Sequence, residues 1–344
     1  MCDIVLHGED TTLKIALDAM GGDYAPREIL LGAIQAKRAL DVDLILVGQR
    51  AAIEQELSDL EAADSLGLPE FEIVDAPDVI QFEENPSFVK ERRGASIRVI
   101  CDLVRQGHAD ACLTMGHTGA GIIAALITFG RLGNVMRPCV GIPYFGLQPH
   151  TLMVDAGAIV DCKPEYLAQF AQMGSIYVEK IWGIARPTVG LMTNGREDNK
   201  GNELTRTAFA LLKNSGLNFI GNLEGYDLPN GAVNVVVMDG LWGNIALKMS
   251  EGLSEQLLGR ISKRFAEAGL ANVVHSILDE FHNMMDYARI GAIPVFGVNG
   301  LMLIGHGRSR AAAVVGGIKS TVQAVNVDLL NALRAGLNEP EAVG

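Results

Sequence analysis

Short apolar segments alternate with segments of helical length along most of the chain. Runs rich in Val, Ile and Leu, without strict alternation of polar residues, predict buried strands. Such strands are typical of a parallel sheet that helices cover on both faces. We therefore predict an α/β protein with a doubly wound, mostly parallel sheet. The predicted strands span residues 14–20, 43–48, 71–75, 109–115, 140–145, 151–155, 188–193, 218–222, 233–239 and 295–304.

The segments between these runs carry helix signals. Pro26 and Pro164 stand where a first-turn proline is tolerated, before predicted helices at 28–40 and 165–182. Residues 241–287 form a longer helical region and predict an arm that projects from the sheet. Its apolar stripe consists of Ile261, Phe265, Leu270, Val274, Ile277, Leu278, Phe281, Met284 and Met285. We expect one large domain over 14–325, with 1–13 and 326–344 as peripheral termini.

The charge balance limits the partners. The chain has 28 Lys and Arg against 41 Asp and Glu, a formal net charge of −13. This charge repels a nucleic acid backbone, so we expect no nucleic acid partner, and an anionic substrate needs a local cluster of Lys and Arg. The apolar stretch at 120–130 is too short to cross a bilayer, and residues 1–13 do not resemble a secretory signal. We therefore expect a cytoplasmic protein.

The cysteines are widely spaced. No C-x-x-C pair is present, which disfavours a zinc site and a disulfide framework. We expect reduced thiols and no metal site. The cysteines are Cys2, Cys101, Cys112, Cys139 and Cys162.

Glycine-containing turns follow six of the predicted strands. In an open α/β sheet, ligands bind outside the carboxyl ends of the strands, and we expect these turns to point the same way. Glycine lets a ligand approach the backbone, and free amides at a helix start bind anions, so the pattern predicts a site for a phosphate-sized ligand. The alternative is that the glycines serve only tight turns. No complete G-x-G-x-x-G or Walker sequence is present, which disfavours nucleotide binding. The candidate residues are Asp18, Gly21, Gly22, Asp23, Gly116, His117, Thr118, Gly119, Asp155, Glu197, Asp239 and His306.

Two polar residues beside these turns are candidates for catalysis. The Lys200 ammonium, directly before a predicted helix, is suited to hold a phosphate or polarise a carbonyl; the alternative is an exposed surface lysine. Asn244 begins a helix that contains Lys248, and its amide is suited to bind a developing oxyanion; the alternative is a helix N-cap. His117 and His306 flank glycines and are suited to exchange protons or bind anions, or are structural.

Several segments together resemble a known family. The run K-I-A-L-D-A-M-G-G-D-Y-A-P at 14–26 is similar to the opening signature of the bacterial phosphate acyltransferase family of phospholipid synthesis. The runs K-G-N-E-L-T at 200–205, N-F-I-G-N at 218–222, D-G at 239–240 with G-N at 243–244, and H-G at 306–307 recur in family order. The resemblance covers about residues 14–325.

The resemblance implies transfer of a long-chain acyl group from acyl carrier protein to inorganic phosphate, without a metal or redox cofactor. It also implies a fold similar to phosphotransacetylases and isocitrate/isopropylmalate dehydrogenases. Family members are homodimers with a projecting arm, here 241–287, and some associate peripherally with membrane. The family's proposed catalytic pair corresponds to Lys200 and Asn244, and its motifs add Asn202 and Asn222 to the candidate binding residues.

An acidic carrier would need a basic docking surface. The candidates are Arg92, Arg93, Arg98 and Arg105, with an ordinary solvated helix face as the alternative. The chain also departs from the family pattern at His117, Ile159, Met192, Thr193, Arg308 and Arg310. Two other functions therefore stay open: acyl transfer from a coenzyme A thioester, as in phosphotransacetylases, and a catalytically silent paralogue that binds acyl groups or their carrier. A dehydrogenase is disfavoured, because the metal-binding carboxylates and nucleotide signature are not evident.

Overall fold

The computed structural model describes residues 12–63, 67–144, 150–285 and 291–338. The strands are β1 (Lys14–Asp18), β2 (Asp43–Gly48), β3 (Glu72–Asp75), β4 (Ala111–Thr114), β5 (Cys139–Pro143), β6 (Leu152–Val154), β7 (Thr188–Met192), β8 (Asn218–Leu223), β9 (Val235–Val237), β10 (Ala292–Phe296) and β11 (Met302–Gly305). The helices are α1 (Arg27–Ala39), α2 (Arg50–Ala63), α3 (Ser96–Arg105), α4 (Thr118–Phe129), α5 (Pro164–Trp182), α6 (Glu203–Lys213), α7 (Gly240–Glu267), α8 (Ala271–Met285), α9 (Ala311–Asn326) and α10 (Leu329–Asn338).

The strands form one sheet in the order β3-β2-β1-β4-β11-β10-β5-β6-β9-β7-β8. Apolar side chains project from both faces of this sheet. Ile15 and Leu17 of β1 belong to the core on one face, which includes residues of α1, α5 and α9, whereas Ala16 belongs to the core on the other face, which includes residues of α3 and α4. Helices therefore cover both faces, and the predicted doubly wound, mostly parallel α/β fold is confirmed.

The sheet consists of two blocks of strands that run in opposite directions. Strands β1 to β4 and β11 are parallel to one another, and so are β6, β7, β8 and β9. Between the blocks, β10 is antiparallel to β11 and to β5, and β5 is antiparallel to β6. The turns after β1, β4 and β11 therefore lie at one end of the sheet, and those after β6, β7 and β9 at the other. The expectation that all six turns point the same way was wrong, because apolar runs report burial and not strand direction.

The predicted strand at 295–304 is two strands. β10 ends at Phe296, the chain turns at Gly297 with φ of +82°, and β11 begins at Met302. Positive φ at Gly297 is a conformation that side-chain-bearing residues rarely adopt. The single-strand prediction was wrong because both strands are buried and the turn interrupts the apolar run by only a few residues.

Residues 241–287, predicted as an arm, fall on α7 and α8, except that 286 and 287 lie outside the described residues. The buried residues of α7 are Gly240, Gly243 and Leu247, all in its first two turns. The described side chains of α7 beyond Leu247 are thus at least partly exposed, and α8 packs back against α7. No described helix is long and apolar enough to cross a membrane.

The carboxyl-terminal segment is not peripheral as far as residue 338. Helix α10 packs against α5, with Leu329 and Leu333 in the core and the Gln172 side-chain amide donating to the Gly336 carbonyl at 2.7 Å. The prediction of a peripheral terminus at 326–344 was therefore wrong over α10. Residues 1–11 and 339–344 lie outside the described residues.

Candidate functional site

A cavity of about 440 Å³ lies on one face of the sheet, where the two blocks of strands meet. It takes residues from both ends of the sheet: Asp23 and His306 follow β1 and β11, whereas Gly157 and Asn244 follow β6 and β9. Its lining consists of Asp23, Phe82, Thr118, Val140, Ile142, Ala156, Gly157, Asn244, Leu247, Lys248, Glu251, Gly291, Ala292, Ile293, Ile304, Gly305, His306, Gly307 and Arg308.

The first turn of α7 brings Asn244 to the cavity. The Asp239 carboxylate caps this helix by accepting the Trp242 N–H at 3.1 Å. Gly243 is required by close packing, since a Cβ there would collide with the Asp155 carbonyl oxygen. Asn244 consequently lies against Gly157. The alternative that Asn244 is the N-cap was wrong, because Asp239 occupies that position and leaves the Asn244 amide to face the cavity.

One side of the cavity is polar and charged, with the cations Lys248 and Arg308 and the carboxylates Glu251 and Asp23 around His306. Lys248 follows Asn244 by one helical turn, and its Nζ lies 2.7 Å from Glu251 Oε2. His306 Nδ1 accepts the Arg308 N–H at 3.1 Å, so a neutral ring carries its proton on Nε2. Burial lowers the pKa of His306, and the nearby Lys248 ammonium lowers it further. The Arg308 guanidinium has no carboxylate partner within 4.0 Å among the described residues, so it is available to an anion.

The floor of the cavity is apolar. Val140 and Ile142 come from β5, Ile293 from β10 and Ile304 from β11, and Leu247 adds an apolar wall from α7. All but Ile142 are buried. The cavity therefore suits a ligand with an anionic group and an aliphatic group.

Asp18 connects the turns at the first end of the sheet. Its carboxylate, 1% exposed, accepts the Thr114 hydroxyl at 2.7 Å and the Met20 N–H at 3.1 Å. Thr114 Oγ1 also accepts the Gly116 N–H at 2.9 Å. Burial raises the pKa of Asp18 above its usual value, and these hydrogen bonds oppose the shift. Asp18 thus shapes the turns after β1 and β4 from inside and does not line the cavity.

A backbone hydrogen bond also joins the turns after β1 and β11. The Asp23 N–H donates to the Gly307 carbonyl at 2.8 Å, which links the turn after β1 to the turn after β11. Gly22 has φ of +114°, and Gly21 leaves no room for a Cβ beside Thr114 Oγ1 and Asp18. The glycines at 21 and 22 therefore serve close backbone packing, and Asp23 is the residue of this turn that reaches the cavity.

The Asp155 carboxylate is likewise buried, directly after β6 at the other end of the sheet. Its Oδ1 accepts the N–H groups of Val140, Gly157 and Ala158, and its Oδ2 accepts that of Ile159 at 2.7 Å. Burial raises the pKa of Asp155, against the effect of these four donors. The carboxylate is fully buried and used by the backbone, so its contribution to the cavity is to position Gly157.

His117 is a helix cap. Its Nδ1 accepts the Gly119 N–H at 3.2 Å at the start of α4, and its ring stacks on Phe82 with centroids 6.0 Å apart. The next residue, Thr118, lines the cavity. The helix cap therefore supports the structural alternative for His117, and Thr118 is the residue of this turn that lines the cavity.

Lys200 does not line the cavity. It lies on the loop after β7, its side chain is 45% exposed, and its Nζ is 3.9 Å from Glu197 Oε1. The Asn222 amide donates to the Glu197 carbonyl at 2.8 Å, and Asn202 caps α6 by accepting the Thr205 N–H at 3.0 Å. Glu197, Lys200, Asn202 and Asn222 therefore form a group at the end of β7, apart from the cavity that contains Asn244.

Three of the four arginines proposed for carrier docking already have partners. Arg92 binds the Glu84 carboxylate through both terminal nitrogens, at 2.7 and 3.1 Å. Arg98 donates to the Val89 and Lys90 carbonyls, and Arg105 lies 2.9 Å from Asp102. Arg93 is exposed and forms no ion pair among the described residues. Docking stays a prediction, and Arg93 is the residue of this set that is free to contribute to it.

The residues that depart from the family pattern have local partners. Arg310 pairs with Glu28 at 3.3 Å and lies over the Tyr24 ring. Thr193 donates its hydroxyl to the Gly195 carbonyl, and Ile159 donates its N–H to Asp155 and accepts the Gly240 N–H at its carbonyl at 2.8 Å. Of Ile159, Thr193, Arg308 and Arg310, only Arg308 lines the cavity.

Sequence reasoning missed Phe82 and Glu251 as cavity residues. Phe82 stands in the polar segment Q-F-E-E-N-P at 81–86, and an aromatic residue isolated in a polar turn is the signal that could have found it. Glu251 follows Lys248 by three positions on one helix, which is the spacing of an ion pair. Among the described residues, no three His, Cys, Asp or Glu side chains form a group that could hold a metal ion.

Comparisons with known proteins agree on a family. Residues 13–331 match the family described as "Fatty acid synthesis protein". The chain is 41% identical over 341 residues to a phosphate acyltransferase of Pelotomaculum thermopropionicum, covering 96% of this chain and 97% of the relative. It is 39% identical to a phosphate acyltransferase of Gloeobacter violaceus, covering 97% of this chain and 100% of the relative.

Solved structures share the fold at low sequence identity. A phosphotransacetylase from Streptococcus pyogenes superposes with a TM-score of 0.61 at 16% identity, covering 92% of this chain and 94% of that one. A 4-hydroxythreonine-4-phosphate dehydrogenase from Klebsiella pneumoniae superposes with a TM-score of 0.52 at 12% identity, covering 94% and 100%. The predicted phosphotransacetylase-like and dehydrogenase-like fold type is thereby confirmed.

Replacing Asp18 with Asn tests the buried carboxylate. The native pKa lies above the usual 3.8, so the stability that Asp18 contributes is greatest below that pH and falls as the pH rises through the native pKa. Asn keeps an acceptor for the Met20 N–H and can donate to Thr114 Oγ1. We expect the free energy of unfolding of Asp18→Asn, minus that of the unsubstituted protein, to be larger at about pH 8 than at about pH 5.

Urea unfolding at the two pH values measures this difference. Asp59→Asn, on the exposed side of α2, is the control for a general effect of charge removal. A relative stability of Asp18→Asn that falls as the pH rises would contradict the assignment.

Proposed function

The chain belongs to the phosphate acyltransferase family, and on this premise we propose that it transfers a long-chain acyl group from acyl carrier protein to inorganic phosphate. The products are acyl phosphate and the free carrier thiol. The observation that supports this assignment is the cavity, because it joins a side with the cations Lys248 and Arg308 and the neutral His306 to an apolar floor. A phosphate and an aliphatic chain need those two environments side by side.

The proposed reaction has one nucleophile and one leaving group. A phosphate oxygen attacks the thioester carbonyl carbon, so that a C–O bond forms and the carbonyl oxygen becomes an oxyanion. Collapse of this tetrahedral intermediate breaks the C–S bond and releases the thiolate of the carrier. The chain's task is to hold the two reactants together and to stabilise the negative charge.

Each part of the cavity has a proposed role. Lys248 and Arg308 bind phosphate by charge-assisted hydrogen bonds, and neutral His306 donates its Nε2 proton to a phosphate oxygen. Asn244 donates its side-chain N–H to the thioester oxygen and binds it more strongly as negative charge develops. Val140, Ile142, Ile293 and Ile304 hold the acyl chain away from water.

Release of thiol from palmitoyl carrier protein and from palmitoyl coenzyme A, each with and without inorganic phosphate, tests this function. Phosphate-dependent release that favours the carrier supports the proposal. Preference for coenzyme A would instead identify the phosphotransacetylase-like alternative. Binding of both thioesters without release would identify a protein that binds acyl groups and has lost the chemistry.

Asn244→Ala should lower kcat by about 100-fold to 1,000-fold, because it removes a donor to the oxyanion. Asn214→Ala, at the end of α6, is the control for loss of an amide elsewhere. Steady-state rates of thiol release measure both variants. A kcat for Asn244→Ala within about twofold of the unsubstituted enzyme would exclude the proposed role.

The two candidate lysines are distinguished by the parameter that each one changes. Lys248→Ala should raise KM for phosphate by about tenfold, because it removes a cation from the cavity. The role that the family resemblance implies for Lys200 predicts a loss in kcat of about 100-fold for Lys200→Ala. Phosphate titrations of both variants separate these effects. Full turnover by Lys200→Ala together with a loss by Lys248→Ala would assign the charge stabilisation to the cavity lysine.

The arm supplies the surface for the proposed homodimer. Met249, Leu253, Leu257 and Ile261 are exposed apolar residues spaced four positions apart along α7. Such a row on one helix side is typical of a surface that packs against another protein surface. We assign this row to a second copy of the chain, and the alternative that the resemblance implies is peripheral contact with a membrane.

The double variant Leu253→Asp, Leu257→Asp should change the mass in solution from dimer to monomer, because a carboxylate buried without a partner is strongly unfavourable. Leu211→Asp, at an exposed site on α6, is the control. Sedimentation equilibrium measures the mass. An unchanged dimer would move the interface elsewhere, and a monomer in all three proteins that binds lipid vesicles would favour the membrane.

A further inference from the structure

Phe82 stands at the opening of the cavity. The other apolar side chains that line it from β10, β11 and α7 are buried, whereas Phe82 is 40% exposed and also lines the cavity. Its ring stacks on His117 with an interplanar angle of 14° and covers Gly307, where a Cβ would come within 2.5 Å of the ring. Phe82 thus forms the edge at which the apolar lining meets solvent.

The turn that carries Phe82 is held by a carboxylate. Glu84 Oε2 accepts the Gln81 N–H at 2.9 Å, and the Glu84 N–H donates to the Gln81 carbonyl at 3.2 Å. The Glu84 carboxylate in turn binds the Arg92 guanidinium through two hydrogen bonds. The Arg92 guanidinium lowers the pKa of Glu84, so the ion pair is kept at neutral pH. This ion pair fixes residues 81–84 and with them the position of the Phe82 ring.

We propose that Phe82 is a specificity-determining residue for the acyl group, and that the Glu84–Arg92 ion pair is its positioning device. This inference rests on the proposed acyl transfer. An acyl chain that lies on Ile293 and Ile304 extends to the edge of the cavity at Phe82 when the chain is longer than this apolar floor. The part of a long chain that arrives there contacts the Phe82 ring, whereas a short chain ends before it.

The ion pair gives Arg92 a structural role that does not depend on docking of a carrier protein. An arginine that served only to attract an acidic carrier would gain nothing from a bidentate partner on its own chain, because the carboxylate neutralises its charge. Arg92 further donates to the Val79 carbonyl at 3.4 Å and lies over the Phe88 ring. All of its contacts hold residues on either side of Phe82.

The test of Phe82 compares two chain lengths. Phe82→Ala should lower kcat/KM for palmitoyl carrier protein by about tenfold and that for butyryl carrier protein by less than about twofold, and Phe82→Leu should fall between Phe82→Ala and the unsubstituted enzyme. Thermal unfolding of each variant checks that the fold is kept. Equal losses for both chain lengths would overturn the assignment to the acyl chain.

A binding titration with palmitoyl coenzyme A, without phosphate, separates this inference from the proposed function. If the unsubstituted protein binds palmitoyl coenzyme A but releases no thiol from palmitoyl carrier protein when phosphate is added, the proposed function fails. A dissociation constant that is about tenfold higher for Phe82→Ala would still support the acyl contact. An unchanged dissociation constant would overturn it.

The ion pair is tested with palmitoyl pantetheine, which lacks the carrier protein. Arg92→Ala and Glu84→Ala should each reproduce the chain-length-dependent loss, the double variant should lose no more than either one, and the exchange Glu84→Arg with Arg92→Glu should restore activity. Arg50→Ala is the matched control, since Arg50 also binds a glutamate and a carbonyl, but away from the cavity. A loss for Arg92→Ala that appears only with carrier-bound donor and that the exchange does not restore would overturn the positioning role in favour of docking.

Discussion

The buried carboxylate of Asp155 holds together the junction on which the cavity depends. It accepts a hydrogen bond from Val140 of β5 and three from the turn after β6, and β5 and β6 form one of the three antiparallel pairings between the two blocks of strands. The carbonyl of the same residue lies where a Cβ at Gly243 would be, so α7 begins against it. The desolvation of a carboxylate is unfavourable, and several donors are needed to offset it. Asp155 therefore determines at once where β5, the turn at Gly157 and the Asn244 amide lie.

The reversal of the sheet gives the cavity its two chemical sides. A sheet with all strands parallel would gather its polar turns at one end and leave apolar residues in its middle. Here the turns of the two blocks lie at opposite ends, and the cavity extends across the sheet face between them. Lys248, reaching over from α7, and His306, from the turn after β11, thereby meet beside the apolar floor. An anion and an aliphatic chain are accommodated in one space, to which both blocks and the two strands between them contribute.

The overall negative charge makes the cationic side of the cavity selective. A net charge of −13 disfavours anions over most of the surface, whereas Arg308 and Lys248 offer local positive charge next to a neutral His306. Other basic side chains are used internally: Arg92 binds Glu84, Arg105 binds Asp102 and Arg310 binds Glu28. Positive charge without a carboxylate partner is thus scarce among the described residues, and Arg308 supplies it where the proposed phosphate would bind.

Local patterns in the sequence identify most of the elements and the family. Apolar runs located nine of the eleven described strands as single strands, prolines located the starts of α1 and α5, and motifs such as K-G-N-E-L-T indicated the acyltransferase relatives. The direction of each strand, the partner of each charge and the separation of Lys200 from the cavity become known only from the three-dimensional arrangement. Apolar runs and first-turn prolines are local features of the sequence, whereas β5 pairs with β6 and β10, and Phe82 contacts His117 and Gly307, across large separations in sequence.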